Sequence, residues 1–341
     1  LLGLLLASGF CAVTYQTAWL RLLRLIFGAS TAATAAVLAI FMGGLGLGAW
    51  LFGRRADRAG KALELYAGLE IGIALLAAAS PYLIEVVRTL YLALGGTPAL
   101  GFWSGTALRL ALTALVLGPP AVLMGGTLPA AVRAGLNSDD YGRRTLGLLY
   151  GLNSLGAVLG AVVTTFLAIE FLGTRKTIWL AALLNLLIGI AARSLARSAN
   201  PGVTAEAESS GSEFAAEPGP ESETPIRLCL LAAAVSGFVF FLMELVWYRM
   251  LGPILGGSSY TFGLILAMAL LGIGLGGLLY GVGARARQPT LSGFAGSCAL
   301  EALAIATPFA LGDRLAFLAF SLRPLGAAGF TGLALGWAVV T

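Results

Sequence analysis

Histidine is absent from the 341 residues. Its absence removes the commonest metal ligand and the side chain that most readily exchanges protons near neutrality, so no Ser/His or Cys/His nucleophile pair can exist. Cysteine is sparse: Cys11, Cys229 and Cys298 stand alone in apolar runs with no C-x-x-C spacing. That pattern argues against a disulfide framework or a zinc site and for plain packing. Charge is thin as well, 11% of residues, where soluble chains carry about a quarter. What fills the chain instead is apolar: 58% hydrophobic residues and a mean hydropathy of +0.91. The sequence reads as an all-α, polytopic membrane protein.

The net charge of +5 and a pI near 9.3 do not point to nucleic acid, because no Lys/Arg cluster sits on a soluble segment able to hold a phosphate backbone. Basic loops beside anionic lipid give a membrane protein the same balance. Leu1 to Leu6 could pass for the core of a signal peptide, but no basic leader precedes them and the run they open recurs in mid-chain. The chain starts without methionine and ends at Thr341 inside an apolar run, and we expect it to be part of something longer.

A membrane-crossing helix needs about 20 apolar residues to span about 30 Å of hydrocarbon, with every backbone N–H and C=O satisfied inside the segment. That rule predicts spans near 3–27, 31–53, 63–86, 105–133, 146–170, 175–197, 227–251, 259–283 and 291–312, and a last one from about 325. Between the sixth and seventh, residues 198–226 hold Pro201, Pro218, Pro220 and Pro225 with six glutamates. Such a tract buries too little apolar surface to offset chain entropy and reads as a flexible, solvated linker. The expected organisation is a six-helix bundle over 1–197, the linker over 198–226, and the first four or so helices of a second bundle over 227–341. Alternate loops and the linker flanks hold twelve of the 21 basic residues, Arg54, Arg55, Arg58 and Lys61 among them. That bias places those loops and the linker in the cytoplasm.

The two halves repeat each other. Ser8-Gly9-Phe10 returns as Ser236-Gly237-Phe238, Trp19-x-Arg21 as Trp247-x-Arg249, and Gly44-x-Gly46-x-Gly48 as Gly272-x-Gly274-x-Gly276, all at an offset of 228. Gln16 falls opposite Glu244 at the same offset, and Glu70 opposite Glu301 at 231, the second loop being three residues longer. Charges at mid-depth are costly unless paired or hydrated and mark a pathway or counter-ion by default. Positions 16 and 19 share a helix face, as do 244 and 247, so a polar group and a Trp look into one space suited to a cation. The candidate ligand-binding residues are therefore Gln16, Trp19, Glu70, Glu244, Trp247 and Glu301. The competing reading is that the three carboxylates only neutralise Arg21 and Arg249.

Gly272-x-Gly274-x-x-Gly277 matches a dinucleotide fingerprint in letters, but it lies within an apolar span rather than between strand and helix. Small residues there serve close helix packing. Tyr91, Trp103, Trp179 and Tyr260 fall near predicted membrane edges as interfacial anchors, and Asn153 and Asn185 are placed to hydrogen-bond across helices. The turn Gly53-Arg-Arg-Ala-Asp57-Arg58-Ala-Gly60-Lys61 resembles the loop between the second and third helices of the major facilitator superfamily. There Gly53 and Gly60 allow a tight turn, and Asp57 meets the N-terminus of the next helix or a neighbouring arginine. In the second copy Arg285 replaces the aspartate, so such a clasp belongs to the first half alone.

These motifs, with Leu123-Met-Gly-Gly-Thr-Leu-Pro129, Tyr141-Gly-Arg-Arg and Leu149-Tyr-Gly-Leu-Asn153-Ser-Leu-Gly-Ala157, together resemble the membrane part of the fused facilitator/spermidine-synthase-like proteins. The resemblance implies a facilitator-like bundle of two parallel repeats, the second truncated here, in a bacterial inner membrane. It implies binding or translocation of a small cationic metabolite such as a polyamine, with Arg21, Gly53, Asp57, Arg58 and Arg249 as gating or structural positions. In that family a soluble domain like the aminopropyltransferases follows the bundle, with a site for decarboxylated S-adenosylmethionine. This chain shows no such domain and no cofactor site, so no catalytic residue is assigned. The alternative is a non-transporting anchor or assembly subunit for such a domain. The expected partners are lipid, a cationic metabolite, and a soluble synthase-like domain or a larger membrane assembly.

Overall fold

The computed structural model describes residues 1–27, 31–135, 142–198, 226–256, 259–283 and 290–341. Among the described residues the chain is helical throughout, without strands: α1 (Leu2–Phe27), α2 (Thr31–Arg58), α3 (Ala62–Ala93), α4 (Gly96–Gly135), α5 (Gly142–Val163), a π-helical turn (Thr164–Ala168) and α6 (Ile169–Ser198). After the predicted linker, which at 199–225 lies outside the described residues, come α7 (Ile226–Leu255), α8 (Ser259–Gly283), α9 (Leu291–Leu311), α10 (Arg314–Leu322), a 3₁₀ turn (Arg323–Ala328) and α11 (Phe330–Val340). Seven described segments are long and apolar enough to cross a membrane: 34–58, 62–93, 96–135, 144–198, 227–255, 260–283 and 291–311. The protein is an all-α polytopic membrane bundle.

Two of these segments are interrupted. At Gly101 (φ 75°, ψ 170°) and Gly173 (φ 76°, ψ 164°) the backbone leaves the helical region for a conformation open only to glycine, and a new helix begins. Gly173 separates the fifth and sixth crossings within 144–198, in the gap expected between the predicted spans 146–170 and 175–197.

The core forms around α1, whose Leu5, Cys11, Tyr15, Trp19 and Leu23 are buried. It packs chiefly on α5 and α6, while α2 packs on α4, and α3 on α4 and α6. With lipid on the outside, water gives these helices no hydrophobic drive to associate, so close van der Waals contact must do it. Small residues supply that contact. A Cβ on Gly156 of α5 would lie 1.9 Å from the Leu6 carbonyl oxygen of α1, and one on Gly48 of α2 would lie 1.9 Å from that of Val122 in α4. Either crossing would have to open to accept alanine.

The second half meets the first mainly along α8 and α5, which run antiparallel, residues 147, 151 and 165 lying against 281, 277 and 263. Gly281 and Gly277 face Gly147 and Gly151, and a Cβ on Gly147 would come within 3.0 Å of the Gly277 carbonyl oxygen. Farther along, Gly263 abuts Thr165, the Phe166 and Tyr260 rings lie 5.7 Å apart, and the Tyr260 hydroxyl donates to Glu170 Oε2 at 2.8 Å. The Gly-rich stretch of α8 is thus a packing face, as its apolar setting indicated. By contrast α9 has no buried residue.

Candidate functional site

On α3 the residues Tyr66, Ala67, Glu70, Ile73, Ala74 and Ala77 recur at three- and four-residue steps and form the buried face. Glu70 sits in its middle with no exposure. The Ser8 hydroxyl of α1 donates to its Oε1 at 2.6 Å, and Asn185 Nδ2 of α6 donates to Oε2 at 2.5 Å and to the Glu70 backbone oxygen at 2.9 Å. One carboxyl group therefore ties three helices together. Gly189 makes room for it: a Cβ there would meet Ile71 Cγ1 at 2.6 Å, so any side chain would push α6 off α3.

Trp19 is buried and fully engaged. Its ring stacks on Tyr15 at 5.4 Å and meets Phe41 edge-on at 6.2 Å. Its Nε1–H donates to the Ser80 hydroxyl at 2.7 Å, and Ser80 in turn donates to the Ala77 carbonyl oxygen. The ring thus belongs to the packing among α1, α2 and α3. Gln16, three residues earlier, is buried too, but its Nε2 has no hydrogen-bond partner among the described residues.

Its repeat counterpart Glu244, on α7, has no exposure, and neither of its carboxyl oxygens has a partner among the described residues. Arg21 and Arg249 are both exposed, and the ion pairs among the described residues are Lys61–Glu64 and Arg88–Glu85, each within one surface turn. None of Glu70, Glu244 and Glu301 is neutralised by Arg21 or Arg249. A cross-link between α1 and α7 lies one turn beyond Glu244, where Arg24 Nη2 donates to the Tyr248 hydroxyl at 3.3 Å. Trp247 is half-buried, and Glu301, on α9, is exposed.

Asp57 and Arg58 lie exposed in the last turn of α2, and Gly53 lies within that helix rather than at a turn. Lys61, with no side-chain cap, precedes α3. The expected meeting of Asp57 with the next helix's N-terminus is not made. The helix runs on because Ala56 is buried against the bundle, Arg54 lies over the Trp50 ring at 5.3 Å, and basic side chains suit a helix C-terminus. Tyr91 also departs from expectation. It is buried, its hydroxyl shares a 2.6 Å hydrogen bond with Thr97, and Arg109 lies over its ring, so it packs inside while Trp103 is 82% exposed.

Two cavities stand out. One of about 530 Å³ lies between the end of α7 and α10–α11, with Pro253, Phe320, Arg323 and Trp337 in its wall. The other, about 360 Å³ and almost wholly apolar, is lined by Phe10, Thr14, Thr164, Thr177 and Leu184 beside the π turn. Neither includes Gln16, Glu70 or Glu244. Sequence reasoning did not assign Ser8 a role or find the π turn. The repeated Ser-Gly-Phe triplet was the available signal for the first, and the second had none. No family model, curated protein or solved structure matches this chain.

Proposed function

We propose that this chain is a facilitator-like membrane domain that binds, and moves across a bacterial inner membrane, a small cationic metabolite of the polyamine class, with Glu244 as the group that holds the positive charge. The observation that carries this reading is the isolation of Glu244. A carboxyl buried in the protein with both oxygens unpartnered is one of the most costly groups a fold can contain, and an ammonium group relieves that cost with charge and hydrogen bonds together. Gln16, its repeat counterpart, adds a buried amide whose Nε2 has no partner among the described residues. Glu70, already held by two donors, keeps the first bundle in shape rather than touching the ligand.

The positive-inside bias puts the α2–α3 turn and the linker in the cytoplasm. A rocking motion of α7 and α8 against the first six helices, about the glycine seam, opens Glu244 to either side in turn. The closed surroundings of Glu244 support a second reading, a non-transporting anchor for an aminopropyltransferase-like domain. Uptake of labelled putrescine and spermidine into vesicles separates the two. Transport predicts uptake by the parent protein that Glu244→Gln reduces at least tenfold, whereas an anchor takes up neither amine.

A further inference from the structure

The clasp on Glu70 has a second set of parts that the structure leaves apart. Ser8 recurs as Ser236 on α7, and Glu70 as Glu301 on α9. In the first half the two meet at 2.6 Å and are buried, while in the second half both are exposed. Glu301 stands ten residues into the 21-residue α9, about 15 Å from either end at 1.5 Å per residue, and so near the centre of the hydrocarbon when that helix spans it. A bare carboxyl at that depth has no place against lipid.

The face around it is built like that of α3. The buried positions 66, 67, 70, 73, 74 and 77 correspond to Ser297, Cys298, Glu301, Ala304, Ile305 and Pro308, small or apolar apart from the glutamate itself. Ser236 is likewise exposed on α7, with Ala233 exposed and Ala232, Val239 and Phe240 only half-buried on the same helix face. We propose that α9 docks on the Ser236 face of α7, with the Ser236 hydroxyl donating to Glu301 as Ser8 donates to Glu70. Glu301 is then a fastening of the second bundle and does not touch the transported cation.

Cross-linking of the full chain in membranes tests this, with Cys11, Cys229 and Cys298 replaced by Ala or Ser. A short bis-methanethiosulfonate reagent is expected to join S236C to E301C as fully as it joins S8C to E70C. Ser236 paired with a neighbouring face, S236C with L300C, should give several-fold less product. Efficient linkage of S8C/E70C with none of S236C/E301C above that control overturns the proposal. Cysteine at either glutamate removes a carboxyl from the packing, so thermal unfolding in detergent gives an independent arm. Ser236→Ala lowers the midpoint in the parent and has no further effect in Glu301→Leu. An equal shift in both backgrounds overturns the proposal.

Discussion

Removing the donors to Glu70 tests the way the first bundle is held together. Ser8→Ala and Asn185→Ala each take away one side-chain donor to a fully buried carboxyl, at 2.6 and 2.5 Å. In soluble proteins a hydrogen bond to a charged group contributes about 1.5–3 kcal/mol, but between membrane helices measured values average about 0.6 and reach about 1.7 kcal/mol. Short bonds and complete burial place these two toward the upper part of the membrane range, so each single variant should lose about 1–1.7 kcal/mol. The double variant should lose more than the sum, about 3–5 kcal/mol, because it removes both donors from neighbouring helices and leaves the buried carboxyl only Tyr66 of its own helix. Thermal unfolding in detergent, read as loss of the monodisperse species, measures all three. If the double variant unfolds at the parent's midpoint, Glu70 is not the fastening described here.

The seam between the halves should be just as sensitive to size. Gly151→Leu brings a side chain against Leu278, which a Cβ alone would approach to 2.9 Å, and should cost about 1–3 kcal/mol as overpacking does. Gly3→Leu, where nothing lies within 4 Å, should unfold as the parent does. Trp19→Phe keeps most of the ring packing but removes the donor to Ser80. It should lower the unfolding midpoint by the equivalent of about 0.5–1.5 kcal/mol and leave amine uptake close to the parent's, since Trp19 faces α2 and α3.

The helices were legible because hydrocarbon imposes a length on every crossing and this chain has little else to write with. The breaks before 105 and between 170 and 175 were legible too, the second because Glu170, Arg175 and Lys176 interrupt the apolar run; that Gly101 and Gly173 carry them was not, since a glycine reads equally as packing or as a turn until its φ is known. Asn185 was readable as a bond between helices, yet only the fold shows that its partner is Glu70. A helical wheel put Trp19 beside Gln16 without saying which neighbour each would meet. The indole went to Ser80, and the amide nitrogen has no partner among the described residues. Asp57 misled because the turn motif describes a sequence, while the burial of Ala56 carried the helix past it.

Equilibrium binding to the purified chain in lipid nanodiscs bears on Glu244 most directly. Spermidine titrated by calorimetry should bind the parent protein at one site and lose at least tenfold in affinity with Glu244→Gln, while Glu301→Gln binds as the parent does. Equal binding by the parent and Glu244→Gln, or no binding by either, would contradict the assignment of Glu244 as the cation site.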